Sequence, residues 1–136
     1  RRVVAELARE AGYRLVVLFG SAARGEPAED LDIGILARGP LDAVAATNRL
    51  TPALGTQAVD VADLGRADPL LLMLVARDGV PLYEASPGEF ARFASLAARR
   101  FFDTRKFREA EREMIGEFVA KHDAGLKSEP RQGADG

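Results

Sequence analysis

The 136-residue sequence has no cysteine, no tryptophan and a single histidine. Without cysteine the chain can form neither a disulfide nor a thiolate metal site, so nothing in it favours an oxidising compartment. It also lacks an apolar run long enough for a membrane span and a charged-then-apolar signal segment at its start. We therefore expect a cytoplasmic protein with no membrane contact. The histidine, His122, lies near a polar C-terminus, where solvation is the expected state.

The sequence also lacks a large excess of charge of either sign. It has 19 Lys and Arg against 21 Asp and Glu, a formal net charge of -2 at pH 7. Proteins that bind nucleic acid without specificity need a basic surface, so we expect no direct nucleic-acid partner. A hydrophobic content of 47% with 29% charged residues indicates a globular chain with one core rather than a disordered one.

The most informative stretch runs from residue 15 to residue 36, LVVLFGSAARGEPAEDLDIGIL. Its first part predicts a strand that is covered on both faces and ends at Gly20-Ser21. Glycine lets the backbone approach a ligand closely, and a short helical turn after it would direct N–H groups at an anion. Ser21 adds a hydroxyl and Arg24 a fork of donors. Gly20, Ser21 and Arg24 thus form a candidate phosphate-binding turn.

Two carboxylates open the next predicted strand, residues 31 to 37. Side chains alternate along a strand, so Asp30 and Asp32 point to the same face. Carboxylates at this spacing repel each other and usually require a cation, and Mg²⁺ takes such oxygen ligands together with nucleotide phosphates. The alternative is that Ser21 caps a helix and both aspartates lie in a surface turn, where these residue types are common. Because both features lie at the ends of neighbouring strands, we favour metal and phosphate binding.

A third candidate carboxylate lies in the strand predicted over residues 56 to 64. Alternation places Asp60 and Asp63 on opposite faces, so only one can join the first pair. Asp60 lies within the apolar part of this strand, where solvation does not readily explain a carboxylate. Asp63 lies at the strand exit and is expected to serve the turn. We therefore choose Asp60; the alternative is an edge-strand aspartate that faces water.

The other segments predict a fold of the α/β (α+β) class, with a mixed sheet of about four strands covered by helices. Two helices are predicted before and after the first two strands, over residues 1 to 11 and 41 to 54, and the second is expected to bury Leu41, Val44, Ala45 and Leu50. Asp68-Pro69 predicts the start of an apolar helix, which leaves self-association open. A short strand over residues 80 to 84 follows.

Ser86 and Glu89 have the spacing of a capping box and predict the start of a C-terminal helical extension. A phenylalanine stripe runs along it, beginning with Phe90 and Phe93. Its charged face is more simply a solvated surface than a docking surface for a helical partner. We expect one domain over residues 1 to 123, which includes these helices from about residue 86, and a disordered tail over residues 124 to 136.

Gly20-Ser21 at a strand end, Gly25 four residues after Ser21, and Asp30-Leu31-Asp32 opening the next strand resemble the signature of the polymerase β-like nucleotidyltransferases. In size and order of elements, the whole chain most resembles the minimal nucleotidyltransferases (MNT) that pair with HEPN proteins as antitoxins. The loop over residues 22 to 29 is shorter than the family usually has, and Ala22 stands where many relatives carry a basic residue.

The resemblance implies a polymerase β-like fold, two Mg²⁺ ions, and transfer of AMP from ATP to a hydroxyl. The implied acceptor is a tyrosine of a HEPN ribonuclease toxin, which AMPylation silences. The residues it assigns to catalysis and metal binding are Asp30, Asp32 and Asp60, and those it assigns to the nucleotide are Gly20, Ser21 and Arg24. Two alternatives stay open, a small-molecule nucleotidyltransferase of the antibiotic-modifying type and an antitoxin that neutralises by binding alone.

Overall fold

A computed structural model describes residues 2–27, 29–55 and 58–103 of the chain. Across these residues, helices and strands alternate. In chain order they are α1 (Arg2–Ala11), β1 (Tyr13–Phe19), a 3₁₀ turn (Ala22–Arg24), β2 (Asp30–Ala37), α2 (Ala43–Ala53), β3 (Ala58–Asp63), α3 (Pro69–Asp78), β4 (Val80–Glu84) and α4 (Glu89–Asp103). None of the helices described has both the length and the apolar character that crossing a membrane requires.

The four strands form one sheet in the order β3-β2-β1-β4. β2 and β3 are parallel, whereas β1 is antiparallel to both β2 and β4. The predicted mixed sheet is thus confirmed. β1 is central, and its residues Leu15, Val16 and Val17 are fully buried, which explains the continuous apolar run in the sequence. β3 and β4 are the edges.

Helices cover both faces of the sheet. On one face, α1 and α2 contribute Val4, Ala8 and Leu50 to a core with Val16, Ile33 and Ile35. On the other face, α3 and α4 contribute Leu72, Val75, Phe93 and Ala97, which cluster with Leu15, Val17 and Phe19. Leu36 and Leu64 belong to this second cluster. The residues of β2 and β3 that lie an even number of positions before them, including those of the candidate site, therefore face the same side.

Two aspartates define the starts of α2 and α3. Asp42 Oδ1 accepts a hydrogen bond from Ala45 N at 3.1 Å, and Asp68 Oδ1 accepts one from Leu71 N at 2.9 Å. The predicted cap and first-turn proline of α3 are confirmed. Each cap satisfies an otherwise unpaired N–H group of the first helical turn.

The prediction for α2 was wrong in one respect, since Val44 is 72% exposed instead of buried. The helix begins at Ala43, and its buried residues are Ala46 and Leu50, one turn apart. Val44 lies about 200° around the helix from Ala46, at about 100° per residue, and so faces solvent. Pro52 lies in the last turn of α2, which continues to Ala53.

The start of α4 is held by side chains rather than by a reciprocal capping box. Ser86 Oγ donates to Glu89 Oε2 at 3.2 Å, and Arg14 Nη2 donates to Glu89 Oε1 at 3.2 Å. Phe90 N donates to Glu84 Oε1 at 3.0 Å. Glu89 is therefore a buried link between the helix and β1. The predicted continuation of this helix, His122 and the predicted tail lie outside the described residues.

Candidate nucleotide site

The strand register brings two of the predicted carboxylates side by side. In the parallel pair of β2 and β3, Asp32 is the direct partner of Asp60, and adjacent strands lie about 4.8 Å apart. Asp30 precedes Asp32 by two residues on the same face, about 6.6 Å along the strand. Alternation therefore directs all three carboxylates to the α3 and α4 side of the sheet.

The predicted phosphate turn lies directly against Asp32. Phe19, the last residue of β1, is the partner of Asp32, and Gly20 follows at φ +77°, a conformation that other residues seldom adopt. A Cβ at Gly20 would lie 3.2 Å from Asp32 Cγ and overlap its Oδ2 atom. Glycine is thus required at this position by both its backbone angle and its closeness to Asp32.

The turn after Gly20 folds as predicted from the sequence. Ala23 N donates to Gly20 O, and both Arg24 N and Glu26 N donate to Ser21 O, each at 3.1 Å. Ser21 makes no side-chain cap bond, which speaks against the alternative that it serves as a helix cap. Its hydroxyl is contacted by Arg24 Nη2 at 3.5 Å. Ser21 and Arg24 are therefore neighbours on the turn that adjoins Asp32.

Arg24 is already held by carboxylates in this structure. Its Nη2 atom lies 3.3 Å from Glu26 Oε1, and its Nη1 atom lies 3.8 Å from Asp78 Oδ2 at the end of α3. Arg77 Nη2 also donates to Asp78 Oδ2, at 2.7 Å. A phosphate that binds Arg24 would therefore have to displace these carboxylates from its guanidinium group.

Glu26 and Asp78 are contacts of the site that the sequence did not predict. The Arg77 side chain donates hydrogen bonds to the Asp78 carboxylate and, together with the charges of Arg77 and Arg24, lowers its pKa. Asp78 thus stays ionised beside Arg24 at neutral pH. The only sequence signal was the Asp78-Gly79 pair, which correctly indicates a helix end but gives no sign of contact with a turn far away in the chain.

Asp60 was chosen as the third carboxylate because it was expected among apolar residues, and that reason was wrong. Its position on the sheet nevertheless fits the choice. Asp60 is exposed on the edge strand β3 and not buried among apolar residues. Its register beside Asp32 is what now supports it. Asp63 behaves as expected for a turn residue, because its Oδ1 atom accepts a hydrogen bond from Gly65 N at 3.0 Å. The catalytic and metal-binding roles of Asp30, Asp32 and Asp60 stay predictions.

The residues fit Mg²⁺ only as part of a complex with a nucleotide. Across residues 2–27, 29–55 and 58–103, no three acidic or histidine side chains form a group that could hold a metal ion. Mg²⁺ usually takes one or two carboxylates and completes its coordination with water and substrate phosphates. Asp32 and Asp60 offer oxygen ligands of this kind, and the missing side chain of Gly20 lets the Asp32 carboxylate lie against the turn.

Several solved structures that are similar to this chain are toxin–antitoxin complexes. A chain of a toxin–antitoxin complex with AMP-PNP is 26% identical, with a TM-score of 0.71 over 84% of this chain and 96% of that chain. A chain of a tri-AMPylated Shewanella oneidensis HEPN toxin in complex with MNT antitoxin is 25% identical, with a TM-score of 0.67 over 84% and 93%. A chain of a MntA–HepT toxin–antitoxin complex is 25% identical, with a TM-score of 0.66 over 84% and 94%.

No family model and no curated protein matches the sequence. The similarity to these solved structures nevertheless extends over most of both chains. It confirms the predicted fold and the predicted resemblance to the MNT antitoxins of toxin–antitoxin systems.

Proposed function

We propose that this chain, which shares the fold of the MNT antitoxins, transfers AMP from ATP to a hydroxyl of a HEPN toxin and thereby acts as its antitoxin. The observation that carries the proposal is the register of the sheet, which pairs Asp32 with Asp60 beside the Gly20-Ser21 turn. Two similar structures support it, one a complex with AMP-PNP and one a complex with a tri-AMPylated HEPN toxin.

The turn would bind the triphosphate tail. Gly20 allows close approach of the backbone, Ser21 offers its hydroxyl, and Arg24 lies next to that hydroxyl. Binding of the phosphates would move Arg24 from Glu26 and Asp78 onto a phosphate oxygen, so one charge-assisted contact replaces others. The net gain in affinity from Arg24 is then smaller than that of an unpaired arginine.

Asp30, Asp32 and Asp60 would hold Mg²⁺ together with the phosphates. When bound, Mg²⁺ supplies neutralisation of the phosphate charge that develops during an in-line displacement. The chain itself contributes the fixed spacing of the carboxylates across β2 and β3, which positions the α-phosphorus near the sheet edge. Positioning and charge neutralisation account for most of the catalysis in reactions of this kind.

The acceptor oxygen would attack the α-phosphorus and form a new phosphorus–oxygen bond. The bond from the α-phosphorus to the bridging oxygen breaks, and pyrophosphate leaves with that electron pair. The hydroxyl proton passes to Asp60, which acts as general base. Asp60 and Asp30 are both exposed, and β3 is an edge strand. An acceptor presented by another protein, such as a tyrosine, can therefore reach the site without a second domain to enclose it.

Intact-mass spectrometry tests the proposal. A HEPN toxin encoded beside this chain is incubated with the chain, ATP and MgCl₂, and we expect the toxin to gain one or more AMP masses on tyrosine. Asp32→Asn should abolish the gain, whereas Asp63→Asn, a change at the turn on the other face of β3, should retain it. A complex that forms and inhibits the toxin without any mass gain would support neutralisation by binding alone and contradict the proposed enzyme.

A further inference from the structure

A cavity lies at the opposite end of the sheet from the candidate nucleotide site. It has a volume of about 360 Å³ and lies between the end of α1, the start of β1, the end of β2 and the start of α2. This volume falls in the lower part of the range of small-molecule sites, roughly 300–1,000 Å³. Tyr13, in its wall, precedes Phe19 by six residues, so the two sites lie about 20 Å apart along β1.

The hydroxyl of a buried tyrosine in the cavity wall has no hydrogen-bond partner among the residues that the structure describes. Tyr13 is 7% exposed and lines the cavity. Its hydroxyl has no hydrogen-bond partner among residues 2–27, 29–55 and 58–103. Arg49 and Asp42 line the same cavity as Tyr13. Buried hydroxyl groups normally have a hydrogen-bond partner, so an unpartnered hydroxyl on a residue of the cavity wall is a candidate ligand contact.

Two guanidinium groups line the same cavity. Arg38 and Arg49 are exposed, and neither forms an ion pair with any residue that the structure describes. The one carboxylate in the wall, Asp42, already serves as the cap of α2. Two positive charges against one negative charge leave the cavity with a net positive charge. Burial raises the pKa of the Tyr13 phenol, so that the hydroxyl is a hydrogen-bond donor at neutral pH.

We propose that this cavity binds a small oxyanion ligand, a phosphate ester or a carboxylic acid, through Arg38, Arg49 and the Tyr13 hydroxyl. The two guanidinium groups can only donate hydrogen bonds, and the protonated Tyr13 hydroxyl can also donate one, which matches the oxygens of such an anion. The ligand would join α1, β1, β2 and α2 at a point that the nucleotide does not reach. The proposal does not depend on the transfer of AMP.

Amide NMR spectra of the ¹⁵N-labelled full chain test this site, with inorganic phosphate and citrate as separate probes at constant ionic strength. We expect saturable shifts at Gly12 and Gly39 for at least one probe, with a dissociation constant of about 1 mM or below. Saturation by phosphate alone assigns a phosphate ester, and saturation by citrate alone assigns a carboxylate. Saturation by both supports the shared oxyanion chemistry.

Three variants make the test specific. Arg49→Gln should weaken binding about tenfold or more, and Tyr13→Phe, which keeps the ring and removes only the hydroxyl, about threefold to tenfold. Arg66→Gln removes an exposed arginine outside the cavity and should change nothing. The proposal is overturned if neither probe saturates, if shifts are confined to Gly20 and Ser21, or if Arg49→Gln binds as well as Arg66→Gln.

Discussion

Replacing Gly20 by alanine should destabilise the fold and displace the Asp32 carboxylate in the candidate site. Gly20 has φ +77°, and a left-handed conformation costs a non-glycine residue about 1–2 kcal/mol. The added Cβ would also overlap the Asp32 carboxylate, and overpacking of this kind costs about 1–3 kcal/mol more. If Asp32 rotates away to relieve the overlap, it leaves its place beside Asp60. The free energy of unfolding then falls less, but the rate of AMP transfer decreases.

Gly25→Ala is the matched control for this change. Gly25 has φ +79°, but nothing lies within 4 Å of the position that its Cβ would take, so only the backbone cost of about 1–2 kcal/mol applies. Urea denaturation followed by circular dichroism measures both variants. In an Asp32→Ala background the cost of Gly20→Ala should fall to that of Gly25→Ala, because the overlap is gone. If Gly20→Ala matches Gly25→Ala in both stability and AMP transfer in the wild-type background, the reasoning is refuted.

Three further changes test contacts around the site and the helix starts. Asp78→Asn should destabilise the fold by about 1 kcal/mol at neutral pH. The pKa of Asp78 in the folded state lies below its ordinary value of 3.8, so the stabilising effect of the carboxylate is lost as the pH falls through that lowered pKa. Denaturation of both proteins as a function of pH should therefore show their difference closing below pH 3.8, and a constant difference would contradict it. Asp68→Ala should cost about 1 kcal/mol through loss of the α3 cap, while Asp68→Asn should cost little, as measured by thermal unfolding. Glu89→Ala removes a buried partner of Arg14 and Ser86 and should lower the free energy of unfolding by about 1–3 kcal/mol. The control Glu6→Ala, at an exposed position, should lower it by less than about 0.5 kcal/mol. Equal losses of stability would show that the Glu89 contacts do not stabilise α4.

The parts of the fold that the sequence predicted well depend on local chemistry. The apolar run of β1, the glycine that ends it, and the Asp68-Pro69 start of α3 all have signals within a few residues of each other. Gly20, Ser21 and the turn to Arg24 could be placed for the same reason. Val44 could not, because six residues turn a helix by about 600° and leave Val44 about 120° around the helix from Leu50. The packing of α2 on the rest of the protein decides which of these two directions is buried.

The parts that the sequence did not predict depend on contacts between distant segments. Alternation gave the faces of Asp60 and Asp63, but their pairing with β2 is set by the register of the whole parallel ladder. Asp60 is exposed because β3 lies at the sheet edge, and the order of strands is a property of the complete sheet. The ion pair between Arg24 and Asp78 joins the 3₁₀ turn to the end of α3, and neither residue carries a local signal of the other.

The most direct test of the proposed site compares Asp60→Asn with Asp63→Asn in AMP transfer to the HEPN toxin, measured as the rate of mass gain under saturating ATP and Mg²⁺. Both variants remove one carboxylate from β3, but only Asp60 is the register partner of Asp32. We expect Asp60→Asn to slow transfer about a hundredfold or more, as loss of a general base does, and Asp63→Asn to transfer at nearly the wild-type rate. Equal rates for the two variants would contradict the assignment of Asp60 and the site built on the register of β2 and β3.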